Sequence, residues 1–109
     1  MDKEKRQYPR AEVSWPATII TPDGLVSCRT ENLSSHGTRI RCSELPELVN
    51  NFRLVFKPAE RKLILATAER VWSKSFTRKN GKSHALGVRF TFVPDHDHEL
   101  IKGAVVEHT

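Results

Sequence analysis

The sequence has no apolar run near the roughly 20 residues that a membrane-spanning helix needs. Its charged start, residues 1–6, is not followed by the apolar segment of a secretory signal peptide. Cysteine is scarce, and the spacing of Cys28 and Cys42 matches neither a CxxC metal motif nor a disulfide-rich secreted framework. We therefore expect a cytoplasmic protein without membrane insertion, in which both cysteines are small, reduced core residues.

Motifs of the common enzyme classes are also missing. The chain has no GxSxG nucleophile motif, no glycine-rich phosphate loop with its lysine, and no HExxH zinc motif. The run DHDHE at 95–99 contains metal-binding side chains, but His96 and His98 would not face each other on a helix. A capped, acidic helix start is the simpler interpretation of this run. We expect neither an enzyme nor a metal site.

A basic excess is present in a chain of single-domain size. The 109 residues include 18 Lys and Arg against 13 Asp and Glu, which gives a net charge of +5. Such a balance favours an anionic partner, although a solvated surface with a mild excess of bases would look the same. Charge alone leaves both interpretations open.

Short segments rich in β-branched and aromatic residues, separated by proline and glycine, predict strands. The predicted strands are 13–21, 25–33, 37–42, 52–56, 63–72 and 85–92. Pro16 favours an edge position or a bulge in the first strand. Asn80-Gly81 is a signal for a tight hairpin turn, and the connection 43–50 has room for one helical turn. This pattern of six or seven short strands predicts an all-β fold, a small antiparallel barrel.

The two ends of the chain differ from this barrel. Apolar residues at 100, 101, 104 and 105 form one stripe of a C-terminal helix over 95–107, which begins with acidic residues. Residues 1–10 are charge-dense, and Pro9 disfavours helical geometry before it, so we expect a mobile arm. Residues 11–109 then form the barrel domain with its helix.

Two short polar motifs remain. The first, RQYPR, places Arg6 and Arg10 four residues apart on the arm. The second is NLSSHG at 32–37. In an extended strand, Asn32 and Ser34 would point the same way and offer an amide and a hydroxyl to a nucleobase, while Gly37 would allow a positive φ or a close backbone approach. Taken alone, the second motif is more simply a polar strand end with a glycine turn.

Together, an RxxxR element, about twenty residues, and then [D/N]xSxxG resemble the signature of the PilZ domain family. The segments GTRI at 37–40, ERVW at 69–72 and GVRF at 87–90 are similar to later strands of that family. The resemblance covers residues 5–102. It implies a six-stranded β-barrel that binds the bacterial second messenger cyclic di-GMP, with no cofactor or metal.

By position, the resemblance implies that Arg6 and Arg10 bind phosphate and guanine. It implies that Asn32 and Ser34 bind a guanine edge, and that Gly37 lets the backbone approach the ligand. Arginine suits this task, because its planar guanidinium pairs with phosphate or with guanine O6 and N7, and stacks on bases.

The chain departs from the family pattern at two positions and extends it at two more. Asn32 stands where many members have Asp. Lys5 precedes the first motif where an arginine is usual in members that bind a ligand dimer. Arg41 and Trp72 resemble positions that can touch ligand, although a tryptophan at a strand end more often serves packing.

These inferences predict a ligand-sensing adaptor. Binding of cyclic di-GMP would order the arm against the barrel, and an unidentified downstream protein would recognise that surface. One alternative is a small basic barrel that binds single-stranded nucleic acid, which the lack of repeated aromatics on one strand face disfavours. Another is a PilZ-like adaptor that no longer binds nucleotide.

Overall fold

The computed structural model describes residues 9–48, 50–59 and 62–109. In this part of the chain, six strands close into an antiparallel barrel in the order β1-β2-β3-β6-β5-β4, and one helix follows. The elements are β1 Pro16–Thr21, β2 Gly24–Leu33, β3 Gly37–Cys42, β4 Phe52–Phe56, β5 Ile64–Arg78, β6 Gly81–Phe92 and α1 Asp95–Glu107. The predicted six-stranded barrel with a C-terminal helix is confirmed.

The barrel closes around one apolar core because its strands alternate in polarity. In β4, Phe52, Leu54 and Phe56 are buried, and the residues between them are not. The apolar face predicted for α1 packs against the same core. Its buried residues are Ile101, Ala104 and Val105. The helix therefore belongs to the barrel domain.

Strand β1 begins later than predicted. Pro16 is its first residue, a position where the missing N–H costs nothing, and its carbonyl accepts a hydrogen bond from the Lys57 N–H at 2.9 Å. The edge position or bulge predicted for Pro16 is wrong, since β1 is paired on both sides, with β2 and β4. Residues 11–15 instead run beside β2.

The β5–β6 hairpin is longer than predicted, and its turn is displaced by one residue. Arg78 pairs with Gly81, so the two turn residues are Lys79 and Asn80. Gly81 follows them with a φ of 121°, a conformation that favours glycine. The described residues of the 43–50 connection contain no helical turn.

The prediction that both cysteines are reduced is wrong. Cys28 on β2 and Cys42 on β3 are direct cross-strand partners with Cα atoms 4.3 Å apart, and they form a disulfide bond. The prediction of two reduced residues rested on the lack of a metal motif or a disulfide-rich cysteine pattern. The register of β2 on β3 places the two cysteines opposite each other. The predicted inward position is correct, since both side chains pack on the core.

The start of α1 is acidic as predicted, with Asp95 and Asp97 in the first turn, but it has no side-chain cap. The carboxylate of Asp97 accepts a hydrogen bond from the Leu65 N–H at 2.7 Å instead, which ties the helix to β5. No helix in the described ranges is long and apolar enough to cross a membrane.

Candidate functional site

The chain enters the barrel beside the end of β2, where the second motif begins. Ala11 and Leu33 exchange two backbone hydrogen bonds of 2.9 and 2.8 Å. Arg10 is exposed and immediately precedes this pair. The structure therefore brings Arg10 next to the second motif, whereas Lys5 and Arg6 lie outside the described residues.

A buried threonine secures the same segment three residues earlier on β2. The Thr30 hydroxyl donates to the Val13 carbonyl and accepts from the Trp15 N–H at 2.8 Å. The Thr30 N–H also donates to the Trp15 carbonyl at 2.9 Å. Thr30 is 1 % exposed, so its three bonds are shielded from water and hold residues 11–15 along β2.

A bulge in β2 decides which motif residues face outward. Thr30 pairs with Ile40 and Asn32 pairs with Arg39, so Glu31 is an extra residue without its own partner on β3. As a result Thr30 and Leu33 are both buried, while Glu31 and Asn32 both lie outside the core. Alternation fails only between Thr30 and Asn32. Ser34, which was predicted to project beside Asn32, lies after the strand has ended at Leu33.

Ser34 shapes the β2–β3 corner instead of projecting beside Asn32. Its hydroxyl accepts hydrogen bonds from the N–H groups of His36 at 3.2 Å and Gly37 at 3.1 Å. It also donates to the Gly37 carbonyl at 3.2 Å. With 7 % of its surface exposed, Ser34 stabilises the turn that follows the strand.

Gly37 allows a close approach of another strand. A Cβ at this position would collide with the Val88 carbonyl oxygen on β6, and its φ is not in the left-handed region. Of the two possibilities predicted for Gly37, the positive φ is therefore wrong, and a close approach is found. The neighbour that needs the space is the β6 backbone.

A row of paired residues crosses four strands from Asn32 to Trp72. Asn32 pairs with Arg39, Arg39 with Gly87, and Gly87 with Trp72. Because Gly87 has no side chain, the indole of Trp72 lies over it and reaches Arg39, whose guanidinium carbon is 5.5 Å from the ring centroid. The row ends in a flat aromatic and guanidinium surface.

Glu31 neutralises two arginines beside this row. Its Oε1 lies 2.8 Å from Arg39 Nε as an ion pair, and its Oε2 accepts a hydrogen bond from Arg41 Nε at 2.7 Å. Arg41 also donates to Ser83 at 3.2 Å. Partial burial raises the pKa of Glu31, but the hydrogen bond and charge of Arg41, and then those of Arg39, outweigh it and hold that pKa below its usual value.

The side-chain oxygen of Asn32, beside these arginines, is a hydrogen-bond acceptor without a partner among the described residues. This Oδ1 atom is buried, whereas the Asn32 backbone carbonyl accepts a hydrogen bond from Thr38. An unpaired buried acceptor is costly, so a ligand N–H that reached it would be favoured. A groove of about 530 Å³ lies along the adjoining stretch of β2; it is lined by Glu12, Val13, Ser14, Arg29, Thr30, Glu31 and Arg41.

Two side chains of the site, Glu31 and Arg39, were not predicted from the sequence to belong to it. No sequence pattern indicated Glu31, because its outward position depends on the bulge in β2. A pattern did indicate Arg39, since it lies two residues before Arg41 on a predicted strand and so shares its face. Both join predicted residues on one outer surface, with Asn32, Arg41 and Trp72.

The histidines near the site hold the helix against it. His98 Nε2 lies 2.8 Å from the Ser35 carbonyl, and its ring meets His36 edge to face at 6.3 Å. The described residues contain no group of three or more His, Cys, Asp or Glu that could hold a metal ion. His98 therefore connects α1 to the corner that Ser34 shapes.

A family model described as PilZ domain matches residues 4–107 of the chain. No curated protein matches the sequence. The fold is similar to that of the inhibitor of motility MotI/DgrA of Bacillus subtilis, with a TM-score of 0.75 and 15 % identity over 94 % of this chain. The chain spans about half of the MotI chain, 50 % of its length.

Two solved PilZ domains are also similar. The PilZ domain of YcgR from Escherichia coli, whose structure contains c-di-GMP, gives a TM-score of 0.76 at 13 % identity and covers 95 % of this chain and 91 % of its own. The PilZ domain of CeSA from a cellulose-synthesizing bacterium gives 0.60 at 17 % identity, with 90 % and 95 % covered.

Proposed function

Because this chain belongs to the PilZ domain family, we propose that it is a bacterial receptor for cyclic di-GMP that signals to a partner protein. The observation that carries the proposal is the Ala11–Leu33 backbone pair. It fixes Arg10 beside the strand on which Asn32 holds an unpaired buried acceptor. PilZ domains are binding modules, and the chain is not an enzyme.

The chemistry of cyclic di-GMP fits the groups around this point. The ligand carries two phosphate charges and two guanines, and guanine offers N1–H and N2–H₂ donors on one edge. Asn32 Oδ1 is an acceptor for such a donor, and Arg10 supplies a cation and a planar donor fork. Arg6, the other arginine of the arm, would close over the opposite side of the ligand.

The surface beside Asn32 also supports the proposed binding of guanine. Guanine is a large π-system, and the adjoining Trp72 and Arg39 offer it a flat face on which to stack. Arg41 and the arm residue Lys5 would add positive charge. Ser34 and Gly37 act on the ligand through geometry, since one forms the corner and the other lets β3 approach β6.

Signalling would depend on residues 1–10, which precede the Ala11–Leu33 pair in sequence. A ligand that contacts both Arg6 and Arg10 would order this segment over the end of β2 and create a surface that depends on the messenger. MotI, to which the fold is similar, is by name an inhibitor of motility. We propose that this chain acts as an adaptor to a partner protein.

Mapping by nuclear magnetic resonance tests the proposed site. Cyclic di-GMP should shift the side-chain amide of Asn32, the amides of residues 35–37 and the indole N–H of Trp72, and leave the exposed face of β4 unchanged. Shifts confined to other surfaces would contradict the site. Cyclic AMP and GTP serve as control ligands.

A single-stranded oligonucleotide in the same experiment tests the rival function. Affinity that comes from tracking phosphates falls steeply with salt, because counterions are released on binding. Oligonucleotide binding tighter than cyclic di-GMP binding, with that salt dependence, would replace the proposal by a nucleic-acid function.

A further inference from the structure

Among the described residues, β5 extends beyond the barrel with an unpaired strand edge. Strand β4 pairs only with residues 64–68 of β5, whereas β6 pairs with β5 as far as Arg78. The connection before β4 reaches as far as Glu69 and Arg70, with which it lines a shallow groove. Beyond that point, residues 71–78 have β6 on one side and no other strand among the described residues. We call residues 71–78 the free edge.

The free edge is exposed and extended. Every residue in it is exposed except Phe76, which is partly buried, and Val71 exposes 62 % of its surface. An unpaired strand edge presents backbone N–H and C=O groups that an added strand can bind. An edge of eight residues is long enough for a typical strand of five or six.

The charge of this region is one-sided. Five basic residues and no acidic one lie between positions 70 and 82; they are Arg70, Lys74, Arg78, Lys79 and Lys82. In the rest of the chain the 13 remaining Lys and Arg are balanced by the 13 Asp and Glu. The whole net charge of +5 is therefore concentrated on this hairpin.

This charge selects among the possible occupants of the free edge. A second copy of the chain would bring the same positive charges against it, and lysine on an edge is a common protection against such self-pairing. Nucleic acid or an anionic membrane would satisfy the charges but not the open backbone groups. An acidic, extended polypeptide satisfies both.

We propose that the free edge binds an acidic segment of a partner protein, which adds to the barrel as a strand beside β5. Main-chain hydrogen bonds would give the pairing, and the basic side chains would select acidic sequences. The site does not require cyclic di-GMP, but Trp72 belongs to both β5 and the proposed ligand surface. Strand addition would thus take place next to the ligand.

A designed peptide tests the proposal on the full chain. The probe is a capped ten-residue peptide in which glutamate alternates with threonine and valine. It should slow amide hydrogen exchange in residues 71–78. The same peptide N-methylated at alternate backbone nitrogens should bind about tenfold more weakly, because it cannot complete the ladder.

Charge-reversal variants supply the matched comparison. Lys74→Glu with Arg78→Glu should weaken peptide binding about tenfold or more, whereas Arg53→Glu, an exposed reversal on β4, should not change it. Folding of each variant is checked by its thermal transition. Cyclic di-GMP affinity is measured in parallel, so loss of the messenger site and loss of the edge site give different results.

Three results would overturn the proposal. The first is equal binding of the methylated and unmethylated peptides, which would mean charge attraction without strand addition. The second is tighter binding of oligothymidylate or of phosphatidylserine vesicles than of the peptide, with the same sensitivity to charge reversal. The third is protection of residues 71–78 by self-association in the absence of peptide.

Discussion

The indole of Trp72 occupies the space that a side chain at Gly87 would need, since a Cβ there would collide with the ring. Because Gly87 has no side chain, the indole lies beside the β6 backbone and reaches the guanidinium of Arg39. The arrangement ties a glycine in the middle of a strand to the shape of the proposed ligand surface. A glycine in the middle of a strand usually weakens the strand, but here it leaves the space that the Trp72 ring occupies.

Substitution at this glycine should therefore affect ligand binding. We expect Gly87→Ala to displace the indole and to lower cyclic di-GMP affinity about five- to tenfold, since stacking of a base on an aromatic ring is worth about 1–3 kcal/mol. Trp72→Ala should give a similar loss with the fold intact. Calorimetric titration measures both.

Gly103→Ala is the matched control for that substitution, because a Cβ there meets nothing within 4 Å. It should leave affinity unchanged and raise the free energy of unfolding by about 0.5–1 kcal/mol, as alanine favours a helix. Wild-type affinity in both Gly87→Ala and Trp72→Ala would remove Trp72 from the site.

Glu31→Gln should have opposite effects on ligand affinity and on stability. It releases Arg39 and Arg41 from a competing carboxylate, so cyclic di-GMP should bind more tightly. The same change should lower the free energy of unfolding by about 0.5–1 kcal/mol at pH 7, the usual range for partly exposed pairs.

The stability difference between wild type and Glu31→Gln should depend on pH in one direction. The folded pKa of Glu31 lies below its unfolded value, so its contribution is complete above the unfolded pKa. It is lost as pH falls from about 5 through the lowered folded pKa. Urea unfolding from pH 7 to pH 3 measures this, and a difference that grows at low pH would contradict the ion pairs.

Thr30→Val should loosen residues 11–15. The hydroxyl of Thr30 is buried with two partners, and its loss leaves the Val13 carbonyl and the Trp15 N–H unpaired, at a cost of about 1–3 kcal/mol. Cyclic di-GMP affinity should also fall, because Arg10 loses its anchor. Thr18→Val on β1 is the control and should change stability by less than about 0.5 kcal/mol. Equal stability of the two variants would be inconsistent with this role of Thr30.

The Cys28–Cys42 disulfide should contribute about 2–3 kcal/mol, as expected for a bridge that joins residues 14 apart in sequence. Reduction with a phosphine should lower the unfolding midpoint of wild type and leave a variant with both cysteines changed to serine unaffected. Titration of two free thiols in the native, unreduced protein would show that the bond is absent.

Much of the fold was predictable from local pattern. The bounds of β3, β4 and α1 agree with prediction, because proline, glycine and clear periodicity delimit them. The bulge at Glu31 was not predictable, since it depends on how β2 twists against β3. That single extra residue turned Glu31 and Asn32 outward together.

The candidate site was predictable in composition more than in arrangement. Asn32, Arg41 and Trp72 lie on one outer surface, and Arg10 immediately precedes the Ala11–Leu33 pair. Ser34 and Gly37 shape the backbone instead. Ser34 bonds to His36 and Gly37, in a turn whose geometry the sequence did not specify. Gly37 instead meets Val88 on β6, which is distant along the chain. The disulfide was missed for the same reason, since only the strand register brings Cys28 to Cys42.

Calorimetric titration of cyclic di-GMP into wild type, Arg10→Ala and Arg53→Ala tests the central claim most directly. Arg10→Ala should lose about tenfold to 100-fold in affinity, since a hydrogen bond to a charged group is worth about 1.5–3 kcal/mol, and Arg53→Ala should match wild type. Equal affinities of all three proteins, or no binding by wild type, would contradict the account.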